Sequence, residues 1–253
     1  MERQTSAAKI LVVLETLCLK GDSGISELSR QLNLGKSSAH RFLSILTRSA
    51  FAEKDKIAGK YRATLKLFEI GAFVRGRDRL INIARRHMEE IGNEFKETVN
   101  LAFLDRYEVV YIDKVESIQT LRTDLVVGRR VPAYCTALGK VFLAFFSEED
   151  LNRYCNETQF MPFTRKTITS AKELKKALET VRKERVAIDN KEFDEGIRCI
   201  AAPISDNSGK VVACMSVSGP SSRLIRERLG AIKKSLTAVT TTISRRLGYI
   251  NLG

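Results

Sequence analysis

Three groups of residues in this chain have the types and spacing to do chemistry. The first lies between Lys36 and Arg48. Ser37, His40, Arg41, Ser44 and Arg48 recur at helical spacing, opposite an apolar stripe of Ala39, Phe42, Leu43 and Leu46. The polar face has no acidic residue. Its hydroxyls, imidazole and guanidiniums suit phosphate oxygens and base edges. Lys36, Ser38 and, from the hairpin that follows, Lys60 extend the set. A solvated face on an ordinary helical hairpin is the bland alternative. The second group is in Val211–Ser218, which reads as a strand with Val211, Ala213, Met215 and Val217 on one face and Val212, Cys214, Ser216 and Ser218 on the other. Cys199 belongs to the neighbouring strand, and Asp189 lies just before it. Small polar side chains at one end of a sheet suggest a pocket for a small polar ligand, or equally the packing of small residues under a helix. The third group is Tyr134–Lys140, where Thr136 is a candidate N-cap. The amides after it would be donors at a helix N-terminus, favouring a carboxylate. The segment is not a P-loop, because the G-x-x-x-x-G-K-S/T pattern is absent.

The elements that position these groups follow from periodicity. Thr5–Leu19 reads as a helix with Ile10, Val13, Leu14 and Leu17 on one side. Ser26 is a candidate N-cap for a second, short helix carrying Leu28 and Leu32. Asn33-Leu34-Gly35 is turn chemistry before the Lys36–Arg48 helix. Two short strands, Phe51–Lys54 and Lys60–Arg62, flank a turn containing Gly59. Together these predict a winged helix-turn-helix. A helix near Leu65–Val74 leaves the hairpin, and a connection is expected at Arg75–Arg79. A long helix over Leu80–Phe95 follows, and on it His87 is read as a core or boundary residue. From Thr98 the period changes to two: Val99, Leu101 and Phe103, then Val109 and Tyr111, then Leu121, Thr123 and Leu125. Helices are predicted at Ala137–Phe146, after the capping Ser147, from a capping box at Ser170–Glu173 to Glu184, and at Arg223–Leu247. Strands are predicted at Val186–Asp189, Ile197–Ile204 and Lys210–Ser218, with Gly219-Pro220 stopping the last. This order predicts an α/β (α+β) fold with a sheet between helices.

The 253 residues carry a net charge of +13. Residues 1–80 hold fifteen Lys and Arg against eight Asp and Glu, a surplus of seven in under a third of the chain. Such a field attracts polyanions. No apolar run approaches a membrane span, and the first residues lack the features of a signal peptide, so a cytoplasmic protein without membrane association is expected. The five cysteines are scattered without a CxxC pair, so free thiols are expected, with no metal and no cofactor. Two competing functions remain at this level. One is a cysteine enzyme on an α/β domain using Cys199, which lacks a histidine nearby in sequence. The other is an architectural DNA protein, which would not need the large second half.

Over nearly its whole length the chain resembles the IclR-type bacterial transcriptional regulators. The resemblance rests on ISELSRQLNLGKSSAHRFLSIL, KYRATLKLFEIG, GRRVPAYCTALGKVFLA, EFDEGIRCIAAPISD and MSVSGPSSRL. It implies a DNA-binding domain over residues 1–75, including a linker helix, and a GAF-like effector-binding domain over 80–253. It further implies homodimers or tetramers on double-stranded operator DNA and, as function, a repressor of a catabolic operon that senses a small organic acid. In glyoxylate-sensing members the ligand is held by a helix N-terminus and by Asp, Cys and Ser side chains. The matching positions are Ala137, Leu138, Gly139, Asp189, Cys199, Ser216 and Ser218. Ala137-Leu138 stands where that subgroup has Gly-Ala, which makes a bulkier cradle. KYRATLKLFEIGA, LGKVFLA and SRRLGY look more like the regulators of pectin and sugar-acid breakdown that sense keto-deoxy-gluconate. With Asp189 placed to accept from a hydroxyl, hydroxy- or keto-acids with one carboxylate are expected over dicarboxylates.

Overall fold

The computed structural model describes residues 5–55, 57–72 and 77–250. The chain divides into two compact units, residues 1–77 and 78–253. In the first, α1 (Ser6–Lys20), α2 (Ile25–Gln31) and α3 (Lys36–Arg48) precede a hairpin of β1 (Ala52–Lys54) and β2 (Tyr61–Ala63), and α4 (Lys66–Ala72) follows. Their apolar stripes converge on one core of Val13, Leu17, Leu28, Phe42, Leu43, Leu46, Ala52 and Tyr61. Thr5 caps α1 by accepting from the Ala8 amide. Ser23 and Tyr61 exchange backbone hydrogen bonds at 2.9 Å, which ties the hairpin to the loop before α2. The hairpin turn is organised by Asp55, whose Oδ1 accepts from the amides of Ile57 and Ala58 at 2.7 and 2.9 Å. Gly59 supplies the turn's left-handed residue, with φ of 66°.

Ser26 is not the cap of α2. The helix starts two residues earlier, with Gly24 extended at the cap position and the Glu27 carboxylate accepting from its amide. Glycine has no side chain to accept from the first turn, so only the reciprocal half of a capping box is made, by the glutamate three residues on. The wing strands also lie slightly later than the sequence suggests, pairing Ala52 with Ala63 and Lys54 with Tyr61. Of the Leu65–Val74 helix, Phe73 and Val74 fall outside the described residues, as do Arg75 and Gly76 of the expected connection.

The second unit begins within the first turn of α5 (Arg77–Phe95). The expected connection at Arg75–Arg79 therefore ends inside a helix, because the Ile83, His87, Met88 and Ile91 stripe continues back to the buried Leu80 and Ala84. Next come β3 (Thr98–Asp105), β4 (Glu108–Val115), β5 (Arg130–Pro132), α6 (Ala137–Ala144), α7 (Glu148–Glu157), α8 (Ala171–Glu184), β6 (Ala187–Asn190), β7 (Ile197–Ser205), β8 (Val211–Pro220) and α9 (Arg226–Arg246). The six strands form one antiparallel sheet in the order β5-β4-β3-β8-β7-β6. One face is covered by α5 and α9 through Met88, Ile91, Leu101, Met215, Val217, Ile232 and Leu236. The other is covered by α6, α7 and α8 through Tyr111, Val141, Phe142, Leu151, Tyr154, Leu174 and Leu178.

Four details differ from the sequence reading. Leu121, Thr123 and Leu125 form no strand; they sit in the long β4–β5 connection. Gly219 and Pro220 do not follow β8 but are its last two residues, paired with Arg198 and Ile197. A side chain at 219 would come within 2.5 Å of a Glu97 carboxylate oxygen, so glycine there admits the buried Glu97–Arg223 ion pair. Pro220 lies beyond the last residue of β8 paired to β3, so its missing N–H breaks no ladder on that side. The final helix begins at Arg226 rather than Arg223. Lastly, a bulge aligns Ser205 with Val211 and Ile204 with Ala213, which moves Val211 to the Cys214 side of the sheet.

Candidate effector cavity and nucleic-acid interface

In the second unit, strand pairing collects the predicted polar residues. Asp189 pairs with Cys199, and Cys199 with Ser218. Ser218 and Ser216 pair with Thr98 and Asn100 on β3. Directly paired residues share a face, so Asp189, Cys199, Ser216 and Ser218 stand on the side covered by α6. Asn100 Nδ2 donates to the hydroxyls of Ser216 and Ser218 at 3.4 and 3.2 Å. Each serine oxygen thus accepts from below and keeps its proton for another acceptor.

Above this wall, α6 begins at Ala137, with Thr136 as its cap. Thr136 Oγ1 accepts from the Gly139 amide at 3.2 Å and donates to Pro132 O at 3.0 Å. The amides of Ala137 and Leu138 have no intrahelical acceptor. Gly139 is needed for a steric reason: a Cβ there would lie 2.2 Å from the Ala133 carbonyl oxygen. A buried ion pair fixes the same helix to the β6–β7 turn. Lys140 Nζ donates to Ile188 O at 2.7 Å and to the Glu192 carboxylate.

Between wall and helix lies a cavity of about 230 Å³. Ala137, Leu138, Asp189, Cys199, Ser216 and Ser218 line it. Gly139 does not; its amide is already held by Thr136, and the glycine serves the close approach of α6 to Ala133. The sequence reading missed Tyr111, Arg129, Phe193 and the connection residues Thr123–Leu125, which line the cavity too. Tyr111 pairs with Ala102, whose β8 partner is Cys214, so it stands on the same side of the sheet; a second bulge follows it, between Leu101 and Ala102.

Burial sets the protonation chemistry. Asp189 is 3% exposed. Desolvation pushes its carboxyl up to about 7, against the Glu192 amide, which donates to Oδ1 at 2.7 Å and pulls the other way. Burial, and then the Asp189 charge, push the Cys199 thiol up. The same two causes push Cys135 up to about 12. Such thiols stay protonated, and Cys199 acts as wall and weak donor rather than as a nucleophile.

The first unit presents the opposite kind of surface. On α3, Ala39, Phe42, Leu43 and Leu46 are buried, while Lys36, Ser37, His40 and Arg41 are exposed and Ser38 and Ser44 half-buried. Lys60 is exposed beside the wing turn. Arg41 lies over the Phe42 ring at 5.4 Å. Among the described residues no side-chain carboxylate pairs with Lys36, Arg41 or Lys60, whereas Arg62 on the wing is paired with Glu53. Gly35 is the N-cap of α3, without a side-chain acceptor. His87 lies apart, on α5, with Nδ1 2.9 Å from a Glu90 oxygen. Among the described residues no helix is long and apolar enough to cross a membrane.

The description "IclR helix-turn-helix domain" matches residues 6–56, and "Bacterial transcriptional regulator IclR C-terminal" matches residues 73–245. The chain is 36% identical over 245 residues to the HTH-type transcriptional regulator KdgR of Escherichia coli (strain K12), covering 97% of this chain and 93% of that protein. It is 32% identical to the HTH-type transcriptional repressor AllR of the same organism, covering 90% and 84%. Its fold is similar to the crystal structure of Thermotoga maritima IclR, with a TM-score of 0.83 at 35% identity over 96% of this chain and 99% of that one.

Proposed function

The chain belongs to the IclR family of bacterial transcriptional regulators, and we propose that it is a repressor of a catabolic operon whose operator affinity is set by a small monocarboxylic acid bound in the second unit. The observation that carries this reading is the convergence of Ser216, Ser218, Asp189, Cys199 and the first amides of α6 on one cavity. Two serine protons and two helix amides are donors suited to a carboxylate. Asp189 is the acceptor or shared proton for a hydroxyl or keto group on the same ligand. A second carboxylate would meet it unfavourably, which favours hydroxy- and keto-acids over dicarboxylates. In the subgroup resemblance, a sugar-acid breakdown product fits these demands.

On the DNA side, Lys36, Ser37, Ser38, His40, Arg41, Ser44 and Lys60 are the proposed contacts, with α3 in the major groove and the wing against phosphate. Assembly is proposed through α4 and α1. Leu65 and Phe68 are 78% and 77% exposed, and Leu11 and Leu19 add further apolar surface. A homodimer covering them would read a near-palindromic operator. Sedimentation equilibrium tests this: a dimer or tetramer is expected at micromolar concentration, and a monomer on its operator would contradict it. Isothermal titration with a panel of mono- and dicarboxylic acids tests the cavity. Binding of a monocarboxylic hydroxy- or keto-acid, lost in Ser218→Ala, is the expected result; equal binding by both proteins would place the ligand elsewhere.

A further inference from the structure

The wall of the cavity contributed by the β4–β5 connection has no part in the grip described above, yet it carries the polar groups left without partners. Thr123 is 4% exposed and lines the cavity, and its Oγ1 is buried with no hydrogen-bond partner among the described residues. Arg129 also lines the cavity; it is exposed to solvent and has no ion-pair partner among the described residues. The other charged residues of the lining are Asp124, Asp189 and Asp194. An anion entering this cavity therefore meets three carboxyl groups and one guanidinium.

The connection is held at both ends. Ser117 donates to Lys96 O at 2.6 Å, and Arg223 donates to Leu121 O at 2.9 Å. At the far end the Gly128 amide donates to Tyr111 O at 2.7 Å, and Tyr111 donates to Arg129 O at 3.2 Å. Thr123 and Arg129 are thus presented by an anchored segment. An unpaired buried hydroxyl destabilises a protein by itself, and a ligand atom that pairs with it recovers that loss.

We propose that Thr123 and Arg129 are specificity-determining residues of this cavity, Arg129 as charge partner of the anion and Thr123 as the reader of a hydroxyl or carbonyl carried beyond the carboxylate. The proposal rests on the reading of the cavity as a carboxylate site, and adds ligand size and substitution. A cavity of about 230 Å³ has room for about eight waters at roughly 30 Å³ each. A two-carbon acid leaves much of that space and the Thr123 hydroxyl unmet. The ligand class is a longer, hydroxylated monocarboxylate.

The test is calorimetry of the full chain and of Thr123→Val and Arg129→Gln with two probes, D-gluconate and the two-carbon glycolate. The wild type is expected to bind gluconate more tightly. Thr123→Val should weaken gluconate about tenfold and leave glycolate unchanged. Arg129→Gln should weaken both about tenfold and flatten their salt dependence. Without acid, Thr123→Val should melt at the same temperature as wild type or above it, since a methyl replaces an unpaired buried hydroxyl. A lower melting temperature with equal loss of both probes would make Thr123 a structural residue and overturn its role. Unchanged gluconate binding in both variants, or tighter binding of glycolate by the wild type, overturns the proposal while the carboxylate site stands. A wild type that binds neither acid removes the carboxylate reading itself, and this proposal with it.

Discussion

Two helix N-termini, those of α3 and α6, are proposed to carry the two interactions of this protein, and they are built on opposite plans. Gly35 begins α3 with no side-chain cap, and space is open around it; a Cβ added there would meet nothing within 4 Å. Thr136 begins α6 with its hydroxyl committed to Gly139, and a Cβ at Gly139 would strike the Ala133 backbone. The first end is exposed, cationic and largely unpaired. The second is buried, and its polar groups are held in position by Asn100, Lys140 and Glu192. The contrast follows from the size of the partner. A duplex brings its own solvated phosphates and needs accessible donors with freedom to adjust. A small acid must repay its own desolvation, which requires a few donors already aimed.

The sharpest way to break this comparison is at the two glycines. Gly139→Ala should destabilise the second unit by more than about 4 kcal/mol, because the clash is with backbone rather than with a side chain that can turn away. Gly35→Ala should change the stability of the first unit little, by about 1 kcal/mol at most, with a correspondingly small melting shift. Similar melting shifts for the two, by calorimetry, would show that the α6 approach is not as tight as described.

Asp189 comes next in size. Its folded pKa, about 7, lies above the ordinary carboxylate value. Between about 4 and 7 the folded protein keeps a proton that the unfolded chain has lost, so stability falls as pH rises through that window. Asp189→Asn should remove this slope, raising stability above pH 7 by at most about 4 kcal/mol and leaving it unchanged near pH 4. Denaturant melts at pH 5 and pH 8 check it; parallel pH dependence in both proteins would mean that Asp189 titrates normally.

Arg41→Ala bears on the exposed side. The residue is exposed and its only described contact is the Phe42 ring, so the fold should survive. If Arg41 reads a base pair, about 1–3 kcal/mol of discrimination goes with it. If it touches only phosphate, affinity should fall evenly across sequences and the salt slope flatten. Unaltered affinity and salt slope in anisotropy titrations would remove α3 from the interface.

Legibility in the sequence followed the range of the forces involved. The bounds of α3, the caps Thr136, Ser147 and Ser170, and the shared face of Ser216 and Ser218 were readable, because helical period, capping and strand alternation are local; Asp189 and Cys199 joined that wall only through the family resemblance, since their face is set by pairing between strands. The capping box at Ser170 was half right: Ser170 accepts from the Glu173 amide, but the Glu173 carboxylate accepts from Thr169 rather than from Ser170. Thr123 and Arg129 were not readable as site residues, and the alternation of Leu121, Thr123 and Leu125 pointed to a strand. Their position is set by contacts such as Arg223 with Leu121 O, a hundred residues apart in sequence. The two bulges escaped for a related reason. One extra residue flips a face, and only pairing to the next strand reveals it.

The most direct test of ligand-controlled repression is to titrate acid into the protein bound to duplex DNA from upstream of its own gene, for wild type and Ser218→Ala side by side. Both should bind the DNA equally without acid. A monocarboxylic hydroxy- or keto-acid should change wild-type DNA affinity, and Ser218→Ala, lacking a charge-assisted hydrogen bond of about 1.5–3 kcal/mol, should need about tenfold more acid or beyond for the same change. Identical acid dependence in the two proteins, or DNA binding indifferent to every acid that the cavity takes up, would contradict it.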